Sequence, residues 1–507
     1  MEAMAIEELA PLPNKIARLP YAFFEKNCIA PLGMTKRPPA LVVAVCQNEK
    51  HTGTDILSMF ANMPVDKRYV TREEFEGYLG RFKEEQGREV VIGVVEDLSE
   101  SALSEIAQEL PNGHDLLDDA ANEPPIIKLV NLLFSIAVKD RASDIHIQPM
   151  ENEVRVRFRI DGLLYDTYKP PRRAHNAIIS RIKVMAGLDV AEKRLPQDGR
   201  IKIRSQGKEI DVRVSIIPSA YGEQVVMRLL DKGASIVEIG HLGMSPELEK
   251  LMISLITRPQ GVFLVTGPTG SGKTTTLYAV LQYINTREKN ILTIEDPVEY
   301  VIPGISQMQV SPKIGLDFAK ALRSFLRQDP DVIMVGEIRD HETARIAIQA
   351  ALTGHLVFST LHTNDAASAL TRAVDMGIEP YLLTSSITAI LAQRLVRRIC
   401  PYCKEVYHPT EFEADLLKAH LHDGEVVVYK GRGCDECLHT GYMGRIGVFE
   451  LVMLNSKIRQ MVQERRSSDE IKAEAVKDGM VTLREDGIMR AVAGLTSLSE
   501  VFRVTIE

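Results

Sequence analysis

Residues 267–274 read Gly-Pro-Thr-Gly-Ser-Gly-Lys-Thr and stand between an apolar run at 261–266 and a helix-forming run at 275–283. Three glycines at this spacing let successive backbone N–H groups curl around phosphate oxygens. A lysine beside them reaches the β and γ phosphates, the adjoining hydroxyl can hold Mg²⁺, and the helix N-terminus adds a favourable dipole. The nucleotide-binding candidates are therefore Gly267, Pro268, Thr269, Gly270, Ser271, Gly272, Lys273, Thr274 and Thr275, with Thr274 also the magnesium ligand. A glycine turn with only a structural task needs neither Lys273 nor Thr274, so the loop reads as a site for ATP or GTP.

Two acids follow at the ends of apolar runs, where phosphate-loop sheets collect groups that hold Mg²⁺ and orient water. The first is Glu295 in Leu-Thr-Ile-Glu-Asp-Pro-Val-Glu (292–299); the second is Glu337 in Asp-Pro-Asp-Val-Ile-Met-Val-Gly-Glu (329–337). Gly336 stands where generic ATPases of this kind keep an aspartate, which places more of the role on Glu337, with Glu295 second. An acid at a strand end is often only solvated surface; two of them after such a loop point to a site. A third run, 354–364, ends in polar residues, and His362 there is a candidate γ-phosphate sensor or an ordinary hydrogen-bonding histidine. Arg323 and Arg327 share a helix face and Arg339 follows Glu337 closely, although arginines at such spacing are commonly just solvated.

Four of the six cysteines form two Cys-x-x-Cys pairs, Cys400 with Cys403 and Cys434 with Cys437, which enclose 30 residues. Paired in this way in a reducing compartment, they suit one tetrahedral zinc ion with no open position, a structural rather than catalytic site. A redox dithiol is the alternative, disfavoured because neither pair opens a helix after a strand. Cys28 and Cys46 stand alone and read as small buried apolar side chains.

The elements that must position these groups follow from the pattern. At 507 residues the chain needs several cores, and 45% apolar with 26% charged residues describes a folded rather than disordered protein. No run approaches the roughly 18 apolar residues of a membrane span, and the acidic start at 1–8 lacks a secretory layout, so a cytosolic chain is expected. A formal charge of −8 disfavours a broad nucleic-acid footprint. Residues 1–105 mix apolar runs (40–45, 90–95) with a helical stretch (71–86) and predict a separate α/β interaction domain. Proline, glycine and acids at 106–124 predict a linker. Residues 125–240 predict an α/β sheet domain: a helix at 126–138, a strictly alternating strand at 154–160 followed by the hairpin signal Asp161-Gly162, strands at 201–204, 209–215 and 224–230, and a helix at 174–186. Residues 241–397 predict a wound α/β sheet with strands at 261–266, 291–294, 332–335 and 356–360. The cysteine module occupies 398–442 and a small helical end 443–507.

The ordered set of motifs at 267–278, 293–300, 327–340 and 354–364 resembles the Walker A, Asp, Walker B and His boxes of the secretion ATPases of type II secretion and type IV pilus assembly. Ala-Ser-Asp-Ile-His-Ile (142–147), Glu-Lys-Arg-Leu-Pro-Gln-Asp-Gly-Arg (192–200) and both cysteine pairs extend the likeness from about residue 125 to the C-terminus. The resemblance implies a RecA-like P-loop ATPase domain preceded by a PAS-like α/β sheet domain and a smaller N-terminal α/β domain, with a zinc-binding insertion. It makes Glu337 the Walker B glutamate, for which a preceding glycine is normal. It further implies a homohexamer in which the sheet domain swings against the ATPase domain and supplies Arg213 and Arg228 to the phosphates. Arg213 alternates with Ile210, Val212 and Val214 and so faces away from their apolar side.

The 18–23 and 274–279 stretches are closer to type II secretion ATPases than to pilus extension motors. On that reading residues 1–105 dock a bitopic inner-membrane protein, an inner-membrane platform protein receives the stroke, and membrane contact is indirect, with the chain cytoplasmic and peripheral to the inner membrane. A pilus assembly ATPase is the alternative within the family. Two other classes stand beside it: a nucleic-acid translocase, opposed by the acidic balance, and a nucleotide-switched scaffold with negligible turnover.

Overall fold

The structure is a computed structural model, and it describes residues 63–79, 125–205, 208–231, 237–410 and 427–505, with short stretches and single positions elsewhere, strands at 29–36 and 39–46 among them. The strand expected at 90–95, the linker at 106–124 and the helix expected at 71–86 beyond residue 79 lie outside the described residues. The chain divides into two compact units, Met1–Asp231 and Lys232–Glu507. Among the described residues no helix is long and apolar enough to cross a membrane.

The first unit begins with a three-stranded sheet of β1 (Ile29–Lys36), β2 (Pro39–Cys46) and β3 (Val65–Val70). β2 carries Leu41 to Cys46 at most 2% exposed, and the helix at 72–79 sets Phe75 and Leu79 against the same core. Thr71 and Glu74 cap that helix reciprocally, the Thr71 N–H donating to Glu74 Oε2 at 2.9 Å.

Six antiparallel strands form the second sheet of this unit: β4 (Asp144–Pro149), β5 (Val154–Ile160), β6 (Leu163–Tyr168), β7 (Gln197–Ser205), β8 (Lys208–Ser219) and β9 (Gly222–Asp231), in the order β6-β5-β4-β9-β8-β7. Strict alternation decides which side of each strand is dry. Val154, Val156 and Phe158 point inward, as do Val212, Val214 and Ile216, against the helices Pro125–Lys139 and His175–Ala186. Arg155, Arg157 and Arg159 alternate with the first set, and Arg213 with the second, on the outer face. The helix at 175–186 stops where Gly187 turns left-handed at φ 67°.

The second unit is a seven-stranded sheet of β10 (Gly261–Thr266), β11 (Ile291–Glu295), β12 (Ser306–Gln309), β13 (Val332–Val335), β14 (Leu356–Leu361), β15 (Ile387–Ile399) and β18 (Tyr442–Met453), in the order β12-β11-β13-β14-β10-β15-β18. All neighbours run parallel except β18, which lies antiparallel to β15 at the edge. Both faces are covered, so the central strands are continuous apolar runs. Helices Phe318–Phe325, His341–Leu352 and Ala366–Asp375 cover one face, and helices Pro246–Ile256 and Lys273–Ile284 the other. Phe263 and Phe358 meet on adjacent strands with centroids 6.1 Å apart. Burial of each such ring stabilises the fold by about 1.5–3 kcal/mol.

The sheet is wider than the sequence pattern indicated. The boundary expected between 397 and 398 falls inside β15, and the segment expected to open a helical end at 443 instead returns as β18. Residues 387–399 are short of turn signals, and their apolar residues satisfy helix and strand periods alike; pairing over Ala389↔Met453 to Ile399↔Tyr442 settles it. Between these strands lie the cysteines and a hairpin of β16 (Lys404–Tyr407) with β17 (Val428–Gly431). Four helices complete the unit: Ser456–Gln463, Ser468–Lys477, Leu483–Val492 and Leu498–Thr505.

Candidate nucleotide site and cysteine cluster

β10 is wholly buried and leads into the glycine loop, and the helix Lys273–Ile284 begins directly after it. The sheet order places β10 between β14 and β15, although β11, β12 and β13 separate it from β14 in sequence, so the loop opens at the carboxyl edge where the winding changes direction. Two glycines are obligatory here. Gly267 has φ 147° and a Cβ would lie 2.4 Å from the Gln393 carbonyl oxygen; Gly272 has φ 88° and a Cβ would lie 2.8 Å from Gln393 Nε2.

Lys273 is 8% exposed and spans the loop, its Nζ donating to the carbonyls of Gly267 at 2.7 Å and Pro268 at 3.0 Å. Burial pushes its pKa down to about 8, against an opposing pull from the Glu337 carboxylate. Ser271 Oγ is buried without a hydrogen-bond partner in the protein. An orphaned hydroxyl, a buried ammonium and a helix N-terminus in one loop match a polyanionic ligand. Thr274 and Thr275 are exposed on the first turn of the helix, as are Pro268, Thr269 and Gly270 in the loop.

Glu337 follows β13 and His362 follows β14, the next strand. The Glu337 side chain is 15% exposed, pairs with Arg339 Nη2, and lies 3.5 Å from His362 Nε2. Burial, then the Lys273 charge, lowers the His362 pKa against the pull of Glu337, which favours the neutral imidazole. The backbone around both residues is pinned: Thr360 Oγ1 donates to the Gly336 carbonyl at 2.7 Å, and the Thr363 N–H donates to Thr266 Oγ1 at 3.0 Å. Gly336 is also explained locally, since a Cβ there would sit 3.3 Å from the Ile294 carbonyl oxygen and 3.4 Å from Glu295 Cα. A side chain there would require the β11 backbone to give way by a few tenths of an ångström.

Glu295 has a different environment. It is 3% exposed and accepts from Tyr278, from Thr293 Oγ1 at 2.6 Å and from Gln307 Nε2 at 3.1 Å. With three donors its carboxylate ties the phosphate-loop helix to β11 and β12. Glu337 is the acid whose charge acts on Lys273, while the three donors give Glu295 a bracing task beside the water-orienting one expected from sequence. Arg323 pairs with Glu342 across two helices.

Arg213 and Arg228 belong to the first unit and are cross-strand neighbours on β8 and β9, with Arg200 of β7 opposite Arg213. They line one cavity on the outer face of the six-stranded sheet. Sequence reasoning missed two residues that shape these sites. Gln393 is 2% exposed, accepts from Thr276 Oγ1 at 2.7 Å and packs on both obligatory glycines; no local signal marks it, because its contacts span more than a hundred residues. Asp144 sat inside a recognised motif, and only its burial beside Arg228 reveals a task.

The four cysteines converge. Their ligand atoms all lie within 4.8 Å of one another, with Sγ···Sγ distances of 3.8 Å for Cys400–Cys434, 3.8 Å for Cys403–Cys437 and 3.7 Å for Cys434–Cys437. Four sulfurs at a zinc–sulfur distance of about 2.3 Å on a tetrahedron stand about 3.8 Å apart, whereas a disulfide would bring a pair to about 2.05 Å. Backbone N–H groups of Cys434 and Gly441 point at Cys437 Sγ, each at 3.2 Å. Burial raises that thiol, but these donors outweigh it and bring its pKa down to about 7; burial carries Cys403 up to about 12. The donor set fits Zn²⁺ held in a closed S₄ site.

A family model described as Type II/IV secretion system protein matches residues 119–503. The chain is 45% identical over 511 residues to the Type II secretion system protein E of Pseudomonas aeruginosa, covering 98% of this chain and 99% of that protein. It is 44% identical over 496 residues to the Type IV pilus assembly ATPase PilB of Myxococcus xanthus, covering 96% and 86%. Among solved structures, the pilus retraction motor PilT with bound ADP superposes with a TM-score of 0.50 at 28% identity, over 74% of this chain and 96% of that one.

Proposed function

The chain belongs to the type II/IV secretion system ATPase family, and from that premise we propose that it is the ATP-hydrolysing motor of type II protein secretion, acting as a homohexamer. The observation that carries the reading is the convergence of Lys273, Glu337 and His362 at the carboxyl ends of β10, β13 and β14, three adjacent parallel strands. In this reading the loop amides and Lys273 hold the phosphates of ATP. Thr274 would hold Mg²⁺, which would supply charge neutralisation to the phosphates. Glu337 accepts the hydrogen bond of the attacking water and orients it, since a carboxylate with one oxygen toward Arg339 and one toward His362 is a fixed acceptor. Neutral His362 is placed to sense the γ phosphate. Arg213 and Arg228 are supplied to the phosphates, where guanidinium groups offset the charge that develops on phosphoryl transfer. The Cys400, Cys403, Cys434 and Cys437 sulfurs hold a structural zinc.

The remaining assignments follow the same reading. Residues 1–105 dock a bitopic inner-membrane protein, an inner-membrane platform protein takes up the stroke, and the chain works from the cytoplasm as a peripheral protein of the inner membrane. Likeness to a pilus assembly ATPase across 96% of the chain keeps pilus extension as the second reading. Turnover of the assembled chain against its Lys273→Ala variant tests the motor: equal rates would leave a nucleotide-switched scaffold. Capture of the full chain by secretion-platform membrane proteins supports type II secretion, and capture by pilus-assembly proteins overturns that choice.

A further inference from the structure

The outer face of the six-stranded sheet carries one row of charge set by strand register. Arg200 of β7 faces Arg213 of β8, Arg213 faces Arg228 of β9, Arg228 faces Asp144 of β4, and Asp144 faces Arg159 of β5. Like charges directly opposite one another on neighbouring strands repel. Three arginines in register gather positive charge that a bound anion would further offset, and they border a cavity of about 440 Å³ together with Asp144 and Asp198. Asp144 is the fixed point of the row. It is 3% exposed, while the Arg228 side chain above it is 58% exposed.

The contact is specific. Arg228 donates through Nε to Asp144 Oδ1 at 2.9 Å, Ser143 Oγ donates to Oδ2 at 2.8 Å, and Arg159 Nε lies 3.5 Å from Oδ2. A guanidinium is planar, with five N–H donors in a fixed fork. Holding it by Nε sets the plane and leaves the terminal nitrogens to a second acceptor.

We propose that Asp144 is the positioning residue of this row: it grips Arg228 by Nε and turns the two Nη groups toward the cavity, where they read the phosphates of a nucleotide. The phosphate part rests on the function proposed above; the grip does not. Asp144 touches no reacting atom, and its effect passes through Arg228.

The test is a double-mutant cycle on the assembled full chain: Asp144→Asn, Arg228→Ala and both together, with kcat, KM and the affinity for an ADP analogue measured for each. Asp144→Asn is expected to lower kcat about 10-fold or more with analogue affinity little changed, to add nothing on top of Arg228→Ala, and to be partly rescued by Asp144→Glu. Factors that simply multiply in the double variant would overturn the proposal, because Asp144 would then act by a separate route. The Arg228 Nε–H resonance, assigned by its loss in Arg228→Lys, separates the two layers. If it shifts in Asp144→Asn while Arg228→Ala turns over normally, the grip stands and the phosphate reading fails; if it does not shift, the grip itself is refuted. Should Asp144→Asn not fold, Asp144→Glu takes its place in the cycle and is judged by the same resonance.

Discussion

Glu337 Oε2 and His362 Nε2 lie 3.5 Å apart at the ends of β13 and β14, two strands that pair in parallel from Val332↔Leu356 to Val335↔Ser359. The register of the sheet, not a direct link in sequence, brings the acid and the imidazole together. Arg339 pairs with the other carboxylate oxygen, Oε1.

Glu337→Gln keeps the shape of this acceptor and removes its charge. ATP turnover of the assembled chain should fall by about 10²–10⁴, while binding of a fluorescent nucleotide stays close to native. Parallel losses in both assays would instead make Glu337 part of the binding surface.

Lys273 is charged only while pH stays below its depressed pKa of about 8. Its ordinary value is 10.5, so the fold disfavours the charged form, and that form is lost as pH rises through about 8. kcat/KM for ATP, which reports the free enzyme, should therefore decline above about pH 8. A profile flat to pH 10 would contradict the burial of Lys273.

Arg397 and Arg503 clamp Glu500, each at 2.8 Å, and join β15 to the last helix. Burial alone would raise the Glu500 pKa, yet the two guanidinium partners bring it down to about 2 from 4.5. A depressed carboxylate stabilises fully above its unfolded pKa, and the contribution fades as pH falls from about 4.5 to about 2. It amounts to roughly 3 kcal/mol. Thermal denaturation of Glu500→Gln against the native chain should show a large difference at pH 7 that narrows below pH 4; a constant difference would place the stabilisation in packing.

The cysteine cluster should bind one zinc ion per chain, measurable by elemental analysis of purified protein. Cys437→Ser removes a sulfur that accepts from two backbone N–H groups, and should lower both zinc content and the thermal midpoint. Since binding to such sites is worth about 10–16 kcal/mol in small peptides, a strong chelator should destabilise the native chain and leave an already metal-free Cys437→Ser unchanged. Full zinc content in Cys437→Ser would show that another residue completes the site.

Gly272→Ala places a methyl group 2.8 Å from Gln393 Nε2 at a φ of 88°. Distortion of the loop should weaken nucleotide binding at least about tenfold, with backbone strain of about 1–3 kcal/mol. Native affinity in this variant would mean that the loop and β15 separate when nucleotide binds.

The local features were legible in the sequence because local chemistry creates them. The phosphate loop is a run of consecutive residues whose glycines, lysine and hydroxyl form the cradle wherever the strand and helix go. β10 and β13 coincide with apolar runs bounded by turns, and alternation at 154–160 located β5 and its dry face. The cysteine pairs announced a cluster because two close pairs need only one closing contact.

What tertiary structure decided depends on pairings that no local window contains. Whether 387–399 is strand or helix turned on β18, about fifty residues later, and only that pairing makes Gln393 the wall behind the loop glycines. Glu295 and Glu337 look alike as acids at strand ends, and three donors from separate elements set them apart. Asp144 and Arg228 are 84 residues apart. Sequence by itself determined which side chains this protein offers for phosphate contact and for a four-sulfur metal cluster. Only sheet order and register decided which of them meet, because a parallel sheet joins strand ends in an order different from that of the chain.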